Sequence, residues 1–165
     1  MSIDPKKWLV TGYGSIDLDP AKVQDSLDSG DEYLGANLQS LLKQNLVGSL
    51  PSNQAVLGVP TGRTFTRTFT IPASAEATLK DAIEIEVDQY IPIPMSALYV
   101  DLEIIHSHTE QLTVRMSSVP KTPISACLTA ANNAGLNVTA IEDVICAEAR
   151  HLDYIAVGHL PPGLG

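Results

Sequence analysis

Between Thr64 and Val119 the hydrophobic period of the chain changes twice, and that order restricts the folds open to it. Thr64, Thr66, Thr68 and Thr70 alternate with Phe65, Arg67, Phe69 and Ile71. A period of two puts the threonines on one face of a strand and the bulkier set on the other. The pattern then turns helical. Ser74 is placed to cap a helix whose inward stripe is Leu79, Ala82, Ile83, Val87, Tyr90 and Ile91, with Glu76 and Lys80 a turn apart. Pro92 and Pro94 stop that helix, because proline cannot donate the next backbone bond. Two strands follow, Leu98 to His106 and Gln111 to Val119, joined around Ser107-His108-Thr109-Glu110.

The flanking segments add strands and helices. Lys7 to Leu18 reads as a strand with glycines at a bend. Asp19 to Asp31 is rich in Asp, Ser and Gly and reads as a loop, with at most a short turn around Val23. Asp31 is placed to cap a helix carrying Leu34, Leu38, Leu41 or Leu42, and Asn45 or Leu46, which Gly48, Pro51 and Ser52 end. Gln54 to Pro60 is a short apolar run, read as a strand buried on both faces, and Thr61-Gly62-Arg63 as a turn. After the hairpin, Thr122 is read as the cap of a helix with Pro123 at its first position. Its stripe is Ile124, Cys127, Leu128, Ala131 and Ala134, with Gly135 at the left-handed exit and Leu136 making the contact that follows. Asn137 to Glu142 gives a short strand and Val144 to Ile155 a last helix, while the tail 160–165 has no pattern. The whole predicts an α+β fold, mixed strands with helices on one or both faces.

Charge and composition then remove several functions. The 165 residues carry net charge −9, and the ten Lys and Arg are scattered rather than gathered into a stripe. Nucleic-acid binding needs a basic footprint to displace counterions, so DNA and RNA are not expected partners. No apolar run is long enough to cross a bilayer, and Met1-Ser2-Ile3-Asp4 opens no signal peptide. Cys127 and Cys146 lie on apolar faces and read as buried thiols of a reducing compartment.

Catalytic and metal signatures are weak. Gly58-Val59-Pro60-Thr61-Gly62-Arg63-Thr64 lacks the spacing and the lysine of a phosphate loop, and a strand follows where a helix must start. Gly12-Tyr13-Gly14 lacks the third glycine of a dinucleotide fingerprint. His106 and His108 can share one side of a strand, and Asp101 and Glu103 lie on it too, but zinc requires more ligands at one point. Hairpin-tip histidines in solvent are the favoured reading; His151 and His159 are isolated. Asp81, Glu84 and Asp88 read as a solvated helix face, and Glu86 as a structural partner for a backbone group or Arg67.

The segment Gln89-Tyr90-Ile91-Pro92-Ile93-Pro94 carries a resemblance. Together with Ile71-Pro72 before the helix, Glu86 within it and Asp101 after it, it resembles the type IV pilus assembly protein PilM family, of the actin-like group. Ala130 to Leu136 (AANNAGL) resembles that family's second helix and its Ala-Gly-Leu exit. The resemblance implies part of an actin-like, ribonuclease H-like subdomain over 1–63, an inserted strand–helix–strand–strand subdomain of the SHS2 type over 64–142, and a returning helix over 143–159. A disordered tail over 160–165 completes that division. It further implies a scaffold in the cytoplasm, peripheral to the inner membrane through partners, which binds the cytoplasmic tail of a PilN-like inner-membrane protein and couples to other assembly components. A full-length relative would bind ATP and magnesium. Here the Asp-x-Gly is Asp28-Ser29-Gly30, followed by Asp31 and Glu32, whose charge would repel phosphate, so no cofactor and no enzymatic activity are expected of these residues.

Tyr90, Ile91, Pro92, Ile93 and Pro94 carry two readings. One is a partner-contact surface, since the corner is apolar. The other is a helix stop with Tyr90 and Ile91 in the core, and periodic stripes favour it. Competing functional readings are a cell-division protein like FtsA, a type II secretion protein like GspL, and a small metal protein using His106 and His108.

Overall fold

The computed structural model describes residues 1–4, 7, 9–74 and 90–156. The chain divides into two compact units, one combining Met1–Val59 with Thr122–Gly165 and the other Pro60–Lys121. The described elements are strands and helices in an α+β arrangement.

In the first unit, β1 (Ser2–Asp4), β2 (Leu9–Tyr13) and β3 (Val47–Gly48) form an antiparallel sheet in that order. The strand expected to reach Leu18 therefore ends at Tyr13. Its glycines are explained by close approach: Gly12 pairs with Gly48, and a Cβ on Gly48 would lie 2.2 Å from the Thr11 carbonyl oxygen. Gly48 also has φ 85°, which disfavours any side chain there.

The segment expected to be a loop is a helix, α1 (Pro20–Ser29). Its ends decided the matter. The Asp19 carboxylate accepts from the Ala21 N–H at 2.9 Å, Pro20 opens the helix, and Gly30 closes it at φ 72° with its N–H on the Ser26 carbonyl. Those caps outweigh a polar composition that favours turns.

Helix α2 (Tyr33–Gln44) begins as expected, with Asp31 Oδ1 accepting the Tyr33 N–H at 2.9 Å. The Ser26 hydroxyl, then the Tyr33 N–H, hold the Asp31 carboxyl below the usual carboxylate range. The chain continues into β4 (Gln54–Val59), which pairs in parallel with β8 (Asn137–Asp143). β4 is not buried on both faces: Val59 is buried, but Val56 is 61% exposed. Burial alternates along β4, with Ala55 and Leu57 half-buried between exposed neighbours, in place of the expected continuous burial.

Helix α3 (Lys121–Asn133) starts before Thr122, which is therefore inside the helix and not its cap. Pro123 still falls in the first turn, where a missing N–H costs nothing. Ile124, Ala126, Ala130 and Ala131 are buried. The exit is as read from the sequence: Gly135 has φ 81°, the Leu136 N–H bonds the Ala131 carbonyl at 2.9 Å, and the Gly135 N–H bonds that of Asn132 at 2.9 Å. Helix α4 (Val144–Ala156) follows β8.

The second unit is a three-stranded antiparallel sheet, β5 (Phe65–Pro72), β6 (Leu98–Ser107) and β7 (Gln111–Pro120), in the order β5-β7-β6. On the central strand β7, Leu112, Val114, Met116 and Ser118 are buried. Phe69 and Ile104 both register with Val114, so the apolar sets of all three strands share one face. Glu103 registers with Arg115 and forms an ion pair with it. The threonines at 66, 68 and 70 are exposed, as the alternation required. The helix expected from Ser74, with its stripe and with Glu86, falls on residues 75–89, outside those described.

Candidate interaction surface

Residues 90–97 form a corner that leads into β6. Tyr90 is the last helical residue, and the prolines then hold an extended backbone, with Pro94 at φ −61° and ψ 140°. Met95–Ala97 make a 3-10 turn, in which the Ala97 N–H bonds the Pro94 carbonyl at 2.8 Å. Ile91 is 5% exposed and joins Leu98 and Met116 in a buried cluster, with Phe65, Phe69, Ile93 and Met95 packed against it.

Tyr90 does not follow Ile91 inward. It is 51% exposed, and the Arg67 guanidinium stacks 3.5 Å above its ring centroid. The favoured reading of Tyr90 and Ile91 together in the core is thus corrected by one residue. A residue at the C-terminus of a helix, where the backbone leaves the axis, is not held by the stripe, and a cation–π partner at the surface takes its ring. Pro92 and Pro94 are exposed and Ile93 is half-buried. The corner presents one aromatic ring, two prolines and a guanidinium to solvent. That chemistry suits contact with apolar or polar segments and offers no nucleophile activated by a base.

The other residues singled out in the sequence are dispersed. His106 lies on β6 opposite Thr113, and the His108 backbone N–H donates to the Gln111 carbonyl at 2.8 Å; both side chains are exposed. Among the described residues, no group of three or more His, Cys, Asp or Glu could hold a metal ion. Cys127 and Cys146 are both half-buried and form no disulfide. Asp28-Ser29-Gly30 is the C-terminal turn of α1, and the Asp28 carboxylate accepts from the Gln24 amide at 2.8 Å. Gly58 to Thr64 runs from β4 through a 3-10 turn to β5.

Two features of the first unit were not legible in the sequence. One is a groove of about 600 Å³ between the β4–β8 sheet and α4, lined by Val56, Gly58, Val144, Ala147 and Leu152 with Glu142 and Glu148. Arg150 forms an ion pair with Glu142 there. The other is an apolar pocket of about 340 Å³, open to solvent, lined by residues of α2, α3, β4 and β8 with Ile16 and Leu18. Exposed apolar side chains also cover the small sheet: Leu9, Val10, Tyr13 and Val47 are each more than half exposed. Among the described residues no helix is long and apolar enough to cross a membrane.

This α+β architecture is similar to that of a protein solved in a type IV pilus complex. A chain of the solved PilM-PilN type IV pilus biogenesis complex is similar to this one with a TM-score of 0.62 at 18% identity, over 74% of this chain and 37% of that chain. The cytoplasmic domain of EpsL, an inner membrane component of the type II secretion system of Vibrio cholerae, is a looser likeness. Its TM-score is 0.44 at 17% identity, over 67% of this chain and 41% of that one. This chain therefore spans well under half the length of either. No protein-family model matches the sequence, and no curated relative does.

Proposed function

We propose that this chain is a non-enzymatic interaction module of a type IV pilus assembly machine, PilM-like, which binds the cytoplasmic tail of a PilN-like inner-membrane protein. The observation that carries this reading is the 0.62 TM-score to a chain of the PilM-PilN complex. It agrees with a resemblance drawn from different information, the Gln89-Tyr90-Ile91-Pro92 segment and its flanks. Charge supports it as well. Segments of membrane proteins beside the cytoplasmic face are enriched in Lys and Arg, and a scaffold of net charge −9 attracts them. On this reading the protein works in the cytoplasm and reaches the inner membrane through its partner. Tyr90, Pro92 and Pro94 are the contact residues proposed at the corner, and Ile91 holds that corner in place. Any ATP and magnesium belong to a longer relative.

Co-expression with a tagged PilN-like protein tests the reading. Co-purification that vanishes when the partner's cytoplasmic tail is deleted is the expected result. Co-purification that survives the deletion, or none at all with a folded chain, would overturn it.

A further inference from the structure

The parallel pair of β4 and β8 is incomplete as a sheet. Parallel strands occur almost only in sheets covered on both faces, and two strands alone are marginal in water. Among the described residues, no strand pairs with the outer edge of either one. The two edges differ in how they are protected. β8 carries Glu142 and Asp143, and its pairing with β4 skips Thr139, whose hydroxyl donates to the Ala55 carbonyl at 3.2 Å. Charges and bulges of this kind keep an edge from accepting a further strand. β4 runs Gln54-Ala55-Val56-Leu57-Gly58-Val59, with no charge, no proline and no skipped residue. Its edge is the one left open to pairing.

The surroundings set the chemistry of the incoming strand. A row of main-chain N–H and C=O groups along an edge is matched in series by extended polypeptide. The side chains of an added strand alternate between two faces, as those of β4 do. One face meets the groove beside Val56 and Gly58, which Val144, Ala147 and Leu152 line. The other lies beside Ala55 and Leu57, which line the apolar pocket. Glu142 and Glu148 also line the groove. Arg150 pairs with Glu142, so the groove already accommodates a guanidinium, and Glu148 is exposed. A second copy of this chain brings no cation on its β4 and adds its own net charge of −9. We propose that the β4 edge is a strand-addition site for an extended segment of another protein, apolar at its centre and carrying Lys or Arg where it reaches Glu148. The surface does not depend on the pilus reading.

The test is fluorescence anisotropy of the full chain with a labelled peptide of alternating valine and threonine flanked by lysines. Saturable binding is expected, with new amide-exchange protection along residues 54–59 and none along 137–143. The same peptide flanked by glutamates should bind about tenfold more weakly or worse, and a fully N-methylated version, which donates no main-chain bond, should not bind. Glu148→Lys should erase the preference for lysine over glutamate flanks. Val56 and Glu148 are both exposed, so substitution at either spares the core. No saturable binding by a folded chain, equal affinity for the two flanks, or protection confined to β8 would overturn the proposal. So would a dimer in sedimentation analysis that Val56→Lys dissociates, because a second copy would then occupy the edge.

Discussion

Replacing Ile91 by alanine separates the two roles packed into the Tyr90–Pro94 corner. Ile91 is 5% exposed and sits among Leu98 and Met116, with further apolar side chains around them. Truncating such a residue loses its transfer free energy and leaves a cavity, together costing about 2–5 kcal/mol. For a chain of 165 residues melting as one transition, that is a fall in Tm of roughly 4–20 °C. Tyr90→Ala removes a half-exposed ring and its stack with Arg67. An exposed cation–π contact is worth only about 0.5–1 kcal/mol, a shift of a few degrees at most. Thermal melts followed by circular dichroism, with urea titrations as a check on the slope, compare the two variants directly. Equal destabilisation by both, or an Ile91→Ala melt within about a degree of the parent, would refute the assignment of core to Ile91 and surface to Tyr90.

Other perturbations probe the first unit. Gly48→Ala forces a Cβ to within 2.2 Å of the Thr11 carbonyl at φ 85°, so it should cost about 1–3 kcal/mol and loosen the β2–β3 pairing, measured as faster amide exchange at Tyr13. Asp19→Ala removes the carboxylate that caps α1 and should lower stability by about 1 kcal/mol in urea titration, with Asp19→Asn largely restoring it. Asp31 has its carboxyl pKa lowered by Ser26 and the Tyr33 N–H. Its ionised form therefore stabilises the fold above the unfolded pKa of about 3.9, and that contribution disappears as pH falls through the folded value. The stability gap between the parent and Asp31→Asn should accordingly be full at neutral pH and shrink below about pH 4, read from paired melts.

The legibility of the fold tracks how strongly each segment's local signals agree. The β5 strand and the β6–β7 hairpin were readable because period-two alternation over eight or more residues forces one register. The Gly135 exit was readable because glycine, a following leucine and a strand all demanded the same left-handed turn. Helix α1 was missed because Asp and Ser favour turns by competing for the backbone, while the caps at Asp19, Pro20 and Gly30 outvote them. β1 and β3 are two or three residues long and leave no period to detect. At the corner, the sequence located the chemistry and the helix stop but not the outward turn of Tyr90, which depends on Arg67 in a strand more than twenty residues earlier. The groove and the pocket were illegible because each is built from segments brought together across the chain, with β8 and α3 distant in sequence from β4 and α2.

The central claim is partner binding, and fluorescence anisotropy of the intact chain against a labelled PilN-like cytoplasmic tail peptide tests it most directly. The account predicts saturable binding that weakens with salt, as an acidic scaffold and a basic tail require, and that is impaired by Tyr90→Ala without loss of folded signal. A folded chain that gives the same anisotropy with the tail peptide as with a scrambled one would contradict it.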